Sequence, residues 1–119
     1  MNFTFDNERP IYLQLLEHLR TAIAAGSFSP GEKLPSVREL ALAAKVNPNT
    51  VQKALAQLES EGLIFTERTN GKFVSENAAA IRQAKESLAR EIAAKYFEEM
   101  KRIGYSDAEA ITYLKGGEK

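Results

Sequence analysis

The chain has 119 residues, 44% of them hydrophobic, with no cysteine, one histidine, and 16 basic and 16 acidic residues that leave a formal net charge of zero. That length holds one ordinary domain plus an appendage, or two very small ones, and the lack of cysteine excludes disulfides, thiol nucleophiles and thiolate metal sites and fits a reducing cytosol. His18 has no second histidine with which to share a metal, no apolar run approaches the roughly 18–20 residues that span a bilayer, and no secretory leader opens the chain, so a cytoplasmic protein with no metal, no cofactor and no membrane partner is expected.

Phe3 and Phe5 alternate with polar neighbours ahead of Asp6-Asn7, which suggests an extended arm laying two rings on an apolar surface. Pro10 opens a helix whose stripe of Ile11, Leu15, Leu19 and Ile23, with Leu16 and Ala22, closes at Gly26; this helix reads as scaffold. Ser29-Pro30-Gly31 is a turn, and Lys33-Leu34-Pro35 leaves room only for a bridge-length strand. Ser36-Val37-Arg38-Glu39 has the spacing of a capping box, in which the serine hydroxyl accepts from the Glu39 amide and the Glu39 carboxylate accepts from the Ser36 amide. Val37, Leu40, Ala41 and Ala44 give the helix one apolar face and carry it to about Ala44. Asn47-Pro48 starts another helix, because asparagine caps unpaired amides and proline does no harm at the first helical position.

On this second helix Val51, Ala54, Leu55 and Leu58 face inward and leave Asn49, Gln52, Lys53 and Ala56 outward. Small, polar and basic side chains near a helix N-terminus suit the DNA major groove, where carboxamides bond base edges bidentately and cations or N-terminal amides hold phosphates. Two capped amphipathic helices also occur in proteins that bind no nucleic acid, so the pair needs context.

Residues 62–74 supply that context. Gly62 stops the helix, Leu63–Arg68 reads as a strand, Thr69-Asn70-Gly71-Lys72 contains the Asn-Gly dipeptide of tight turns, and Phe73-Val74 begins the returning strand. Three helices and a hairpin make a winged helix-turn-helix domain over residues 1–77. Arg68, Asn70, Gly71 and Lys72 lie at the wing tip, positioned to touch backbone or minor groove, although the same residues are ordinary in a solvated turn. Residues 1–77 carry eight basic side chains (Arg9, Arg20, Lys33, Arg38, Lys45, Lys53, Arg68, Lys72) against nine acidic ones, so distribution rather than total charge must attract DNA. Arg38, Lys45, Lys53, Arg68 and Lys72 fall on segments that would face a duplex; Glu17, Glu59 and Glu61 are expected to point elsewhere.

Beyond Glu76-Asn77 the pattern changes. Ala78–Ile103 contains neither glycine nor proline, and Ile81, Ala84, Leu88, Ile92, Tyr96, Met100 and Ile103 recur on one face opposite Arg82, Lys85, Arg90, Glu98 and Lys101. After Gly104, Ser106-Asp107-Ala108-Glu109 is a second capping box, opening a short helix with Ile111 and Leu114 inward until Gly116-Gly117. Two helices cannot bury both apolar faces alone, and an identical tail is the nearest supply, because twofold dimers dominate oligomers. Residues 78–119 are therefore expected to be a dimerisation region, with Ile81, Leu88, Ile92, Tyr96, Met100, Ile111 and Leu114 at the interface; the alternative is a tail folded back on its own winged helix. The expected class is mainly α with a small β-hairpin.

The string Pro10-Ile11-Tyr12-x-Gln14-Leu15, then Gly26-x-Phe28-x-Pro30-Gly31-Glu32-x-Leu34-Pro35-Ser36-x-Arg38-x-Leu40-Ala41, then Val46-Asn47-x-Asn49-Thr50-Val51-x-x-Ala54-Leu55-x-x-Leu58-x-x-x-Gly62-Leu63-Ile64, resembles the GntR family of bacterial winged-helix transcription regulators. The short helical tail resembles the YtrA-like branch, whose members are dimeric and often linked to transporter operons. The resemblance implies a homodimeric DNA-binding regulator of an inverted-repeat operator, a repressor rather than an activator. It places a phosphate and base contact on Arg38 after the Ser36 turn, the recognition-helix start on Asn47, Asn49 and Thr50, Gln52 and Lys53 one turn later, and the wing on Arg68–Lys72. Pro48 and Gln52 stand where several relatives carry arginine, which moves the expected readout from guanine to adenine, by Asn49 or Gln52. The usual Gly-x-Gly wing appears as Thr69-Asn70-Gly71.

Two other classes remain open on sequence: a winged helix used only for protein contacts, and a sensor in which Tyr96, Phe97 and Met100 line a dimer cavity for a small-molecule effector. An enzyme is not expected, for want of a second histidine, a cysteine, a glycine-rich phosphate loop or a recognisable carboxylate pair.

Overall fold

The computed structural model describes residues 3–116 and divides the chain into two compact units, Met1–Lys85 and Glu86–Lys119. The elements run α1 (Ile11–Ala24), α2 (Val37–Ala44), α3 (Pro48–Ser60), β1 (Ile64–Glu67), β2 (Gly71–Val74), α4 (Ala78–Arg102) and α5 (Asp107–Leu114).

In the first unit both expected caps form. Ser36 Oγ accepts from the Glu39 amide at 3.1 Å while Glu39 Oε1 accepts from the Ser36 amide at 2.8 Å. Asn47 Oδ1 accepts from the Asn49 amide at 2.7 Å and opens α3. Between them Lys45 takes a left-handed conformation (φ 59°), which lets its amide and that of Val46 both reach the Ala41 carbonyl and turns the chain from α2 into α3. Leu15 and Leu19 of α1, Leu40 of α2, and Val51, Leu55 and Leu58 of α3 close over one core with Leu63 and Val74.

The apolar stripe of α1 starts later than its spacing suggests. Ile11 is exposed, and the buried residue of that turn is Gln14, whose carboxamide accepts from the Asp6 amide at 2.8 Å and donates to the Arg9 carbonyl at 2.9 Å. Every polar atom of this side chain is satisfied locally, which is why a polar residue occupies a core position. The arm finds its partner on the same helix: Phe3 and Phe5 stack at 5.9 Å and each presents to His18 at 5.6 Å, so the single histidine has a packing role.

The hairpin pairs Ile64 with Val74, Phe65 with Phe73, Thr66 with Lys72 and Glu67 with Gly71. The returning strand therefore begins at Gly71, ahead of the expected Phe73. Arg68-Thr69-Asn70 form a three-residue loop in which the Asn70 amide donates to the Glu67 carbonyl at 3.1 Å and Gly71 alone has positive φ. A two-residue Asn-Gly turn would need positive φ at both positions; the three-residue loop needs it once. The segment around Lys33 lies along β2, with a bridge from Lys33 to Phe73 and the Leu34 amide donating to the Lys72 carbonyl at 2.8 Å.

Asn77 Oδ1 accepts from the amides of Ala79 and Ala80 at 3.0 and 3.2 Å and starts α4, whose first turns, through Ile81 and Ala84, pack on the core of the first unit. The compact units thus separate inside α4, after Lys85, rather than at its beginning.

The second unit holds the rest of α4 and α5. Gly104 takes a positive φ, Ser106 and Glu109 form the second capping box, and Tyr96 Oη donates to the Ala110 carbonyl at 2.7 Å. The buried residue of α5 is Ala110; Ile111 and Leu114, expected inward, are exposed, Leu114 by 64%. Gly117 lies outside the described residues.

Candidate nucleic-acid interface

Burial of Val51, Ala54, Leu55 and Leu58 turns the opposite face of α3 to solvent, with Asn49, Gln52, Lys53 and Ala56 exposed and Thr50 half-buried. The Asn47 side chain serves the helix start, so it is the carboxamides of Asn49 and Gln52 that have no hydrogen-bond partner among the described residues. They stand three residues apart and therefore on one side of the helix. A carboxamide presents a donor and an acceptor together, the pattern that matches the N6 and N7 edge of adenine. Lys53 is placed differently: its Nζ lies 3.9 Å from the centroid of the Tyr12 ring on α1, a cation–π contact that draws it to the flank of α3.

Arg38, the second residue of α2, is exposed with no partner among the described residues. Ser36, although its oxygen accepts from the Glu39 amide, keeps its own proton for another acceptor. A groove of about 300 Å³ joins this helix start to the wing, lined by Lys33, Ser36, Arg68 and Lys72 among others.

At the wing itself the expected residues separate. Arg68 is exposed and has no partner among the described residues, whereas Asn70 Nδ2 donates to Glu67 Oε1 at 3.2 Å and Lys72 Nζ donates to Thr66 Oγ1 at 2.7 Å and to Glu59 Oε1 at 3.3 Å. Glu59, expected to point away from the duplex side, turns to the wing instead. The hydrogen bond from the Thr66 hydroxyl, helped by Lys72, holds the Glu59 carboxyl below its ordinary range. Gly71 has φ 106°, and a Cβ there would meet Lys33 Cε at 3.3 Å.

These pairings leave particular cations free of a carboxylate in a chain of zero net charge. Arg9 pairs with Glu17 at 2.9 Å, Arg20 with Glu61 at 2.6 Å and Lys72 with Glu59 at 3.3 Å. Among the described residues, Lys33, Arg38, Lys45, Lys53 and Arg68 have no carboxylate partner, and they belong to the loop before α2, to α2 and its C-terminal turn, to α3 and to the wing. Sequence reasoning missed Lys33, the Tyr12 seat of Lys53 and the Glu59 contact with the wing. Only the Thr66–Lys72 pairing had a signal, and that one appears only once the strand register is known.

In the tail, α4 contains no buried residue: Leu88, Tyr96 and Met100 are half-buried, while Ile92 is 70% exposed. With Ile111 and Leu114 also exposed, the apolar row of the second unit is only partly covered within that unit, by the contact of Tyr96 with Ala110 of α5, and Ile81 belongs to the packing of the first. No helix among the described residues is long and apolar enough to cross a membrane.

Three helices followed by a hairpin, with unpartnered carboxamides on the third helix, define a winged helix-turn-helix protein. Residues 11–74 match the family described as bacterial regulatory proteins, gntR family, and the chain belongs to that family. It is 36% identical over 121 residues to the uncharacterized HTH-type transcriptional regulator YhcF of Bacillus subtilis, covering 98% of this chain and 100% of that protein. It is 51% identical over 69 residues to the HTH-type transcriptional repressor YtrA of the same organism, covering 58% of this chain and 53% of YtrA. Among solved structures, a GntR family transcriptional regulator from Listeria monocytogenes superposes with a TM-score of 0.86 at 37% identity, over 96% of this chain and 100% of that one. AraR(DBD) in complex with operator ORX1 superposes with a TM-score of 0.58 at 28% identity, over 63% of this chain and 99% of that one.

Proposed function

We propose that the chain represses transcription in the cytoplasm, without catalytic activity, by binding an inverted-repeat operator as a homodimer with each α3 in a major groove. The observation that carries this reading is the pair of unpartnered carboxamides, Asn49 and Gln52, on the solvent face of α3, with unpaired Arg38 and Arg68 on neighbouring elements. Asn49 and Gln52 read base edges, Arg38 and Ser36 hold phosphate at the start of α2, and Lys53 and Arg68 add phosphate contacts at the helix flank and wing. The relatives support the reading: YtrA is named a repressor, and the AraR fragment is bound to an operator.

The homodimer is argued from α4. A helix of 25 residues with none buried, carrying Leu88, Ile92, Tyr96 and Met100 along one side, gains its missing partner from a second tail, joined by Ile111 and Leu114 of α5. Twofold symmetry then matches an operator whose half-sites repeat about one duplex turn apart.

The test is binding of Arg38→Ala and Gln52→Ala to a duplex selected by the wild-type chain from a random pool, across a salt series. Arg38→Ala should weaken binding to all sequences and shrink the salt slope by about one for each phosphate that the arginine neutralises; Gln52→Ala should relax preference at one base pair, worth about 1–3 kcal/mol. Unchanged affinity, preference and slope in both variants would remove these roles.

A further inference from the structure

Glu59 stands one residue before the end of α3, Thr66 lies on β1 and Lys72 on β2, directly opposite Thr66 in the hairpin register. Their side chains close a triangle: Thr66 Oγ1 donates to Glu59 Oε1 at 2.8 Å, and Lys72 Nζ donates to Thr66 Oγ1 at 2.7 Å and to Glu59 Oε1 at 3.3 Å. Beyond the buried pair Ile64 and Val74, no residue of either strand is buried, so this triangle and the bridge from Lys33 are what tie the outer half of the wing to the rest of the first unit.

We infer that Glu59, Thr66 and Lys72 form a clamp that sets the pose of the wing on the recognition helix, making Lys72 a positioning residue and leaving the wing's phosphate contact to Arg68. The inference rests on the DNA-binding reading above. An ammonium that spends two of its three donors on a hydroxyl and a carboxylate has one left for a phosphate, and drawing it away from the wing would leave the Glu59 charge uncompensated beside a polyanion. Arg68, with no partner among the described residues, incurs no such loss. The hydrogen bond from Thr66, helped by Lys72, lowers the Glu59 carboxyl and so favours the ionised acceptor that the clamp uses.

Two measurements test it. In the DNA-free protein, amide hydrogen exchange at Phe65 and Phe73, which face each other across the hairpin, should speed up several-fold in both Lys72→Gln and Glu59→Gln, and be restored in Lys72→Arg; unchanged exchange in both glutamine variants would overturn the clamp whatever the chain binds. On the selected duplex and a scrambled duplex of equal length, Arg68→Gln should shrink the slope of log K against log salt by about 0.9 for each arginine removed from a phosphate. Lys72→Gln should leave that slope unchanged and lose several-fold in preference for the selected sequence, while Glu59→Gln, which releases an ammonium, should steepen it. A Lys72→Gln slope that falls as far as that of Arg68→Gln would overturn the assignment of Lys72 as a positioning residue. Wild-type protein with no salt-dependent affinity for either duplex would remove the DNA-binding reading, an outcome separable from the exchange result.

Discussion

Lys45 is the residue whose chemistry least suits its backbone. Its φ of 59° lies in the left-handed region, which costs a side-chain-bearing residue about 1–2 kcal/mol and glycine almost nothing. A cation at the C-terminal end of α2 complements the helix dipole and adds a positive charge beside the start of α3, which offers a reason for lysine where glycine would fold more easily. Lys45→Gly should therefore raise stability by up to about 1 kcal/mol, seen as a melting temperature several degrees higher, while weakening DNA binding. A lower melting temperature would contradict the strain. Which residues of α3 face outward was legible, because burial of Val51, Leu55 and Leu58 follows a helical period. The partners of outward residues were not: Lys53 over Tyr12 and Lys72 against Glu59 join elements whose relative placement no local spacing encodes.

Local elements were the most legible part of the chain. A capping box is a contact across three residues, so Ser36 with Glu39 and Ser106 with Glu109 were readable before any tertiary structure existed. Ser36→Ala should cost about 1 kcal/mol in thermal or denaturant unfolding, and no loss would mean that the cap is redundant. The hairpin was legible as a hairpin but not in its loop length, since Asn-Gly fits a two-residue turn and the three-residue loop alike until the register of β1 on β2 is fixed. The loop makes a sharp distinction. Gly71→Ala should destabilise by about 1 kcal/mol or more, because its φ of 106° is one that side chains rarely adopt and its Cβ would press on Lys33. Asn70→Ala, at a position without positive φ, should change stability by less than about 0.5 kcal/mol. Equal losses in the two variants would restore the two-residue turn.

At the scale of the whole molecule, net charge misled because it counts residues and ignores pairs. The Arg20–Glu61 pair ties α1 to the end of α3. Burial pushes the Glu61 carboxyl up, but hydrogen bonds from Arg20 and Gln57 together with the Arg20 charge outweigh it and leave the group below its ordinary 4.5. A carboxyl depressed in the folded state binds fewer protons than in the unfolded chain, so its stabilisation is present above the ordinary value and lost as pH falls through the folded one. The melting temperature should thus hold from about pH 7 to pH 5.5 and drop below about 4.5. Arg20→Gln should lower it at neutral pH by an amount that shrinks as the medium turns acid; a gap independent of pH would rule out this linkage. The tail follows the same division between local and distant information. Its long apolar row was readable from spacing, but Ala110 as the buried residue of α5 was not, since that depends on where the turn at Gly104 sends the chain.

The central claim is that the outward face of α3, duplicated by a twofold mate, reads DNA. The most direct measurement is a footprint of the wild-type chain on its selected duplex, with guanine N7 methylation protection marking the major groove. Two protected half-sites of opposite orientation, centred about 10–10.5 base pairs apart and both lost in Asn49→Ala/Gln52→Ala, are the predicted result. Protection without symmetry, or an unchanged pattern in the double variant, would contradict it.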